Sequence, residues 1–134
     1  MRPLIVLLCL AACGGSQHPR PAPKPEFDAK ALAAQLDAVM AEIEAATHAY
    51  EHDCAAMVSE LAKIETRAQG PIQQARAAQQ DPEHARALTS ELRVYNQAAA
   101  GRSDVIAMHL AICYKQHPEL DEQVQHVVDS MPTP

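Results

Sequence analysis

Two histidines and a glutamate lie close together in the segment His48-Ala49-Tyr50-Glu51-His52. Residues four positions apart share one face of a helix, so His48 and His52 could bind one Zn²⁺ or Cu²⁺ ion through their imidazoles. The alternative is that both side chains are simply solvated near a helix end. We favour this alternative: we expect no metal and no other cofactor, and keep His48 and His52 as weak metal-ligand candidates.

The same five residues match the pattern H-x-x-E-H and resemble the zinc motif of the inverted zinc proteases. The resemblance implies that two histidines bind zinc and that the glutamate acts as the base. It covers five residues only, and no third ligand or larger catalytic domain is marked in the sequence. The sequence also offers no nucleophile–base arrangement and no glycine-rich phosphate loop. We therefore expect a protein that is not an enzyme.

The N-terminal residues carry a targeting pattern. A short basic start precedes an apolar run of nine residues, 4–12, which is too short to span a bilayer. The run ends in Leu10-Ala11-Ala12-Cys13 and resembles the signal peptide and lipobox of bacterial lipoproteins. That resemblance implies cleavage after residue 12 and a diacylglycerol on Cys13; an ordinary secretory signal is the alternative. Gly14 replaces the aspartate that retains many lipoproteins in the inner membrane, which favours the outer membrane of the cell envelope.

Residues 13–25 are predicted to be a tether, because four prolines alternate with other residues from Pro19 to Pro25 and favour polyproline II. All 17 acidic side chains but only 8 of the 11 basic ones follow position 25, so the remaining domain carries a net charge of −9. An acidic domain without a basic stripe is a poor nucleic-acid binder. The expected partners are the membrane, through the lipid, and an unidentified envelope protein.

Composition and periodicity predict an all-α domain over residues 26–131. The 134-residue chain is 48% hydrophobic but only 3% aromatic, and it contains 4 glycines. Apolar residues recur at helical spacing up to Tyr50, and the phase is lost before Cys54. We predict that the first helix ends near Glu51 and that the second begins at Cys54, with one stuttered helix as the alternative. The predicted fold is a small up-down bundle of three long helices and a short C-terminal one.

The later helices are marked by prolines and glycines. The second helix should kink or break at Gly70-Pro71 and continue weakly to about Gln79. Asp81-Pro82-Glu83 starts the third helix, which we predict to run unbroken to Gln116 with Gly101 on its inner face; a break at Gly101 is the alternative. The residues that keep phase through the glycine are Ala98, Gly101, Val105, Met108 and Ile112. The predicted last helix opens at His117-Pro118-Glu119 and has the apolar face Leu120, Val124, Val127 and Met131.

The chain contains four cysteines. Cleavage would remove Cys9, and lipid would occupy Cys13, which leaves Cys54 and Cys113 in an oxidising compartment. We predict a disulfide between these two; separate buried thiols or a metal role are the alternatives. If the third helix is continuous, Cys113 returns to the end of the bundle that holds Cys54. A chain that reverses at Gly101 would carry Cys113 to the opposite end.

The chain as a whole resembles the small, uncharacterised, alanine-rich helical lipoproteins of myxobacteria. The shared features are the lipobox, the proline-rich tether and two cysteines, of which the second precedes a His-Pro-Glu helix start. The resemblance implies no activity. We predict a lipid-anchored envelope protein with a helical domain that binds an unknown ligand or partner. The alternatives are a periplasmic metal- or haem-binding bundle, with haem ligands among Met40, Met57, Met108 and the histidines, and a periplasmic stress chaperone.

Overall fold

The computed structural model describes residues 26–120 and Glu122. These residues form four α-helices, with no strand among them. The elements are α1 (Ala29–Ala49), α2 (Cys54–Ala78), α3 (Pro82–Ala98), α4 (Arg102–Gln116) and a 3₁₀ turn at Pro118–Leu120. None of the described helices has the length and apolarity needed to cross a bilayer. The all-α prediction is confirmed, and the first two helices are separate, as predicted.

An aspartate caps each of the first three helices. The carboxylates of Asp28 and Asp53 each accept a backbone N–H from the residue three positions later. Asp81 accepts the backbone N–H groups of His84 and Glu83, and these hydrogen bonds lower the pKa of its carboxyl. The cap at Asp81 is therefore retained at neutral pH and is lost as the pH falls through that lowered pKa.

The second helix was predicted to kink or break at Gly70-Pro71 and to continue to about Gln79; it does not break there, because α2 runs through both residues to Ala78 and is capped at Gln79. Proline removes one helical hydrogen bond and crowds the Cβ of the preceding residue, but Gly70 has no Cβ. Ile72 and Ala75 beyond the proline are both buried, in phase with Ala68 before it. Burial of an isoleucine side chain contributes about 1.5–3 kcal/mol, which is similar to the cost of an interior proline.

The core consists of two clusters along the antiparallel α1–α2 pair. One cluster joins the N-terminal half of α1 to the end of α2 and to α3. The other joins the C-terminal half of α1 to the start of α2 and to α4. The first contains Leu32, Leu36, Ala75, Ala78 and Leu88; the second contains Ile43, Met57, Leu61, Ile106 and Leu110.

The predicted continuous helix from Pro82 to Gln116 is wrong, because the chain is interrupted between Ala98 and Arg102. Gly101 has a φ of 91°, a left-handed conformation that glycine adopts without penalty. The link does not reverse the chain: α3 lies beside the first half of α1, and α4 lies beside the second half. The two helices therefore follow one another end to end, and Cys113 still reaches the end that holds Cys54. The disulfide therefore does not require an unbroken helix from Pro82 to Gln116, contrary to our prediction.

The inner face of α4 also differs from the prediction. Gly101 is exposed, and a side chain there would meet no atom within 4 Å; Met108 is 54% exposed. The stripe that faces α1 contains two polar residues that interrupted the apolar pattern, Arg102 and His109. This stripe keeps helical spacing across the link through Leu88, Leu92, Tyr95, Ala99, Arg102, Ile106, His109 and Cys113.

Arg102 attaches the start of α4 to α1. Its guanidinium donates to Asp37 at 2.7 Å and to Glu44 at 3.0 Å, and its side chain is 19% exposed. The hydrogen bond to Asp37 is the main reason that the pKa of Arg102 is raised. An arginine on the inner stripe is therefore satisfied by two carboxylates of the neighbouring helix.

Several sequence predictions lie outside the described residues. They are the signal peptide, the lipidation site Cys13, the tether, and the part of the predicted last helix that carries Val124, Val127 and Met131. The proposed start of that helix falls at the 3₁₀ turn that begins at Pro118.

Replacement of Gly101 by alanine should lower the free energy of unfolding by about 1–2 kcal/mol, because a Cβ is strained at a φ of 91° although it meets no other atom. Asparagine tolerates this conformation better, so Gly101→Asn should cost less than Gly101→Ala. Urea denaturation of the three proteins measures both effects. Equal stability of the alanine variant and the wild type would show that the left-handed link is not required.

Candidate metal site

The end of α1 and the turn after it supply two of the three groups in the site. α1 ends at Ala49, and the N–H of Tyr50 bonds to the carbonyl of Ala46. Glu51 lies in the turn before Cys54, where α2 begins. The Nδ1 of His48 lies 3.9 Å from the Oε2 of Glu51, and the His48 side chain is 75% exposed.

The third group is His109, which sequence reasoning did not select. It lies on the inner stripe of α4 and is only 4% exposed. Its Nε2 lies 3.6 Å from the same Oε2 of Glu51, and its ring stacks on His48 with centroids 5.5 Å apart. The sequence does contain a sign of it: His109 is three residues after Ile106 and four before Cys113, so it lies on the same helix face as these two buried residues.

The ligand atoms of His48, Glu51 and His109 all lie within 4.8 Å of one another. Two ligands of a tetrahedral zinc ion are about 3.3 Å apart, given metal–ligand bonds of roughly 2.0–2.1 Å. The observed separations are longer than this, so the site must contract by about 1 Å to hold an ion. His48 is exposed and Glu51 is in a turn, so both can make this adjustment while His109 stays fixed.

His52 is close to this group but is not part of it. Its Nε2 lies 3.4 Å from the other carboxylate oxygen of Glu51, Oε1, and its side chain is 84% exposed. The prediction that His48 and His52 share one helix face is wrong, because the helix ends at Ala49 and His52 lies in the turn. The Glu51 carboxylate therefore has three imidazoles around it: one buried and two exposed.

His109 is buried without the hydrogen bonds that such a group requires. Its Nδ1 has no hydrogen-bond partner among the residues that the structure describes. Its Nε2 is 3.6 Å from Glu51, which is beyond hydrogen-bonding distance. A buried polar atom left unpaired costs about 1–3 kcal/mol. The unpaired atom is Nδ1, so an ion bound at Nε2 would not relieve its cost. The observation that points to a ligand is the approach of Nε2 to a carboxylate and to a second imidazole.

The predicted disulfide between Cys54 and Cys113 is confirmed, with Cα atoms 5.3 Å apart. Both cysteines are 1% exposed. Cys54 follows Glu51 by three residues, and Cys113 follows His109 by one helical turn. The disulfide thus connects the two chain segments that supply the site.

The methionines that were candidate haem ligands differ in exposure. Met57 is fully buried in the core, Met40 packs at its edge, and Met108 is mostly exposed. A cleft of about 210 Å³ opens between α1 and the α3–α4 link. Arg102 lines this cleft, but its charge is already paired with Asp37 and Glu44.

Comparison with known proteins finds no family model, no curated protein and no solved structure that matches the chain. The function must therefore be inferred from the site.

Replacement of His109 by leucine should raise the free energy of unfolding by about 1 kcal/mol, because it removes a buried imidazole that lacks hydrogen bonds. The half-exposed His84 on α3, whose ring stacks on Phe27, provides a control. Leucine keeps an apolar contact with Phe27, so His84→Leu should change the free energy of unfolding by less than about 0.5 kcal/mol. Urea denaturation without added metal is the measurement. A loss of more than 1 kcal/mol in His109→Leu would contradict this account and assign the imidazole a structural role.

Proposed function

We propose that this protein is a lipid-anchored envelope protein whose helical domain binds one divalent transition-metal ion through His48, Glu51 and His109. The observation that carries the proposal is the convergence of a carboxylate and two imidazoles, of which the buried His109 comes from a distant part of the chain. This assigns a ligand class to a domain that the sequence left without one.

The donor set selects the class of metal. Two imidazole nitrogens and one carboxylate oxygen suit Cu²⁺, Ni²⁺ or Zn²⁺, whereas Ca²⁺ and Mg²⁺ prefer oxygen ligands only. Both cysteines near the site are joined in a disulfide, so they offer no thiolate that would favour Cu⁺. Among divalent ions, Cu²⁺ should bind most tightly by the Irving–Williams order.

Charge and exposure favour a binding role over a structural one. A structural zinc site is closed by four protein ligands, but here three ligands converge and His48 is exposed to solvent. The net charge of −9 after position 25 attracts cations to the domain. We therefore propose a metal-binding module that exchanges its ion with the surroundings.

The lipid anchor gives this module its location. The lipobox resemblance at Cys13 supports attachment to the envelope, with the outer membrane favoured. The twelve residues between Cys13 and Glu26 would extend about 37 Å as polyproline II, at roughly 3.1 Å per residue. The domain would therefore stand away from the bilayer surface, with its metal site open to the periplasm or the exterior.

Calorimetric titration with Cu²⁺ and Zn²⁺ tests the metal site. We expect one ion per chain and an affinity that falls at least about tenfold in Glu51→Gln and in His109→Leu, since each loses a ligand. His84→Ala, which removes an imidazole from α3, is the matched control and should bind as the wild type does. If His109→Leu retains the wild-type affinity, binding occurs at surface histidines and the proposal is wrong.

The anchor is tested by Cys13→Ser, which removes the thiol that would carry the lipid. The variant should lose labelling by fatty acid and should no longer partition into the detergent phase, because one acylated residue is the proposed anchor. Cys9→Ser, which falls in the segment to be cleaved, is the control and should be labelled normally. A wild-type chain that takes up no fatty acid would contradict the lipoprotein assignment.

A further inference from the structure

The disulfide links the two halves of the candidate metal site. One half is the turn after α1, which carries Glu51 and continues directly into Cys54. The other half is α4, where His109 and Cys113 lie one turn apart on the buried face. The covalent route between the halves through the bond is short, whereas the main-chain route from Cys54 to Cys113 spans 59 residues.

Other interactions hold α4 mainly at its start and middle. Arg102 pairs with Asp37 and Glu44 in its first turn, and Ile106 and Leu110 pack in the core. Toward the C-terminal end, Cys113 is the buried anchor that is bonded to α2. Cleavage of the disulfide would leave the end of α4 held by packing alone, through Leu110 and Tyr114. Without the covalent link to Cys54, the distance between His109 and Glu51 would be less tightly fixed.

We propose that the disulfide controls metal affinity, so that the oxidised chain binds the ion and the reduced chain binds it at least about tenfold more weakly. This inference rests on the metal-binding function proposed above. In the reduction, a dithiol gives two electrons and two protons to the Cys54–Cys113 bond. The sulfur–sulfur bond breaks, two thiols form, and the dithiol closes into its own disulfide.

The coupling is reciprocal. If the disulfide raises metal affinity by some factor, the bound ion must favour the disulfide over the two thiols by the same factor. The two sulfurs are also inaccessible, since both cysteines are 1% exposed, so a reductant can attack only after local opening. An ion that joins His109 to Glu51 opposes that opening. Bound metal should therefore slow reduction of the disulfide.

The first measurement compares Ni²⁺ binding to the lipidated chain with binding to its Cys54→Ala/Cys113→Ala variant. Ni²⁺ is used because Cu²⁺ oxidises thiols, and alanines exclude thiolate ligands from the variant. We expect at least about tenfold weaker binding in the variant, with helix content checked by circular dichroism. Equal affinity in a folded variant overturns the coupling but leaves the metal-binding function intact.

The second measurement uses the native disulfide, so it remains decisive if the double variant does not fold. The oxidised chain is reduced by a water-soluble phosphine, which is converted to the phosphine oxide with oxygen from water, with and without Ni²⁺. Ni²⁺ should slow reduction several-fold in the wild type and in His84→Ala, but not in His109→Leu.

Three further outcomes also decide between the proposals. Reduction that is equally fast with and without Ni²⁺, in a chain that binds the ion, overturns the coupling alone. Tighter Ni²⁺ binding to the reduced wild type would also overturn it, because the released thiolates would then be the preferred ligands. Absence of Ni²⁺ binding to the oxidised chain overturns both the coupling and the metal-binding function.

Discussion

One covalent bond determines where α4 ends relative to the rest of the molecule. Cys113 is joined to the first residue of α2, and this places the last turns of α4 against the turn that follows α1. In the chain-entropy description, closing a loop of this length contributes roughly 4 kcal/mol. This is a large share of the stability of a small domain, in which 5 of the 19 described buried apolar residues are alanines that each bury little area. The position of His109 follows from the same bond.

The inner stripe of α4 departs from a purely apolar pattern at two positions, and the two departures have different explanations. Arg102 is paired with Asp37 and Glu44, so its burial is compensated within the fold. His109 is compensated less well: its Nδ1 has no hydrogen-bond partner among the described residues, and its Nε2 is 3.6 Å from the carboxylate of Glu51. Local patterns that fail without a structural gain are expected at functional sites. This contrast is the physical reason to assign a ligand to His109 and not to Arg102.

The sequence predicted the helical class, the first helix boundary, the start at Asp81-Pro82 and the disulfide, because each depends on local capping or on compartment chemistry. It failed where two apolar stripes competed on one segment. We predicted that the stripe through Val105 and Met108 is buried, because it contains no charged residue. The stripe that contains Arg102 is buried instead, because Arg102 pairs with a carboxylate of α1. His109 was missed for the same reason. His48 was predicted only as a weak ligand candidate, paired with His52, and Glu51 was named only as the base of the protease-like motif. His109 is brought next to His48 and Glu51 by the fold alone.

The end-to-end arrangement of α3 and α4 has a consequence for the integrity of the chain. Ala100 and Gly101 are exposed in the link between the two helices, which makes it the kind of surface segment that proteases cut. A cut there would separate α4 from α3 in the main chain, but Cys113 would still be bonded to Cys54 on the other fragment. Both fragments would remain one molecule, and α4 would stay attached to the N-terminal fragment for as long as the disulfide is intact.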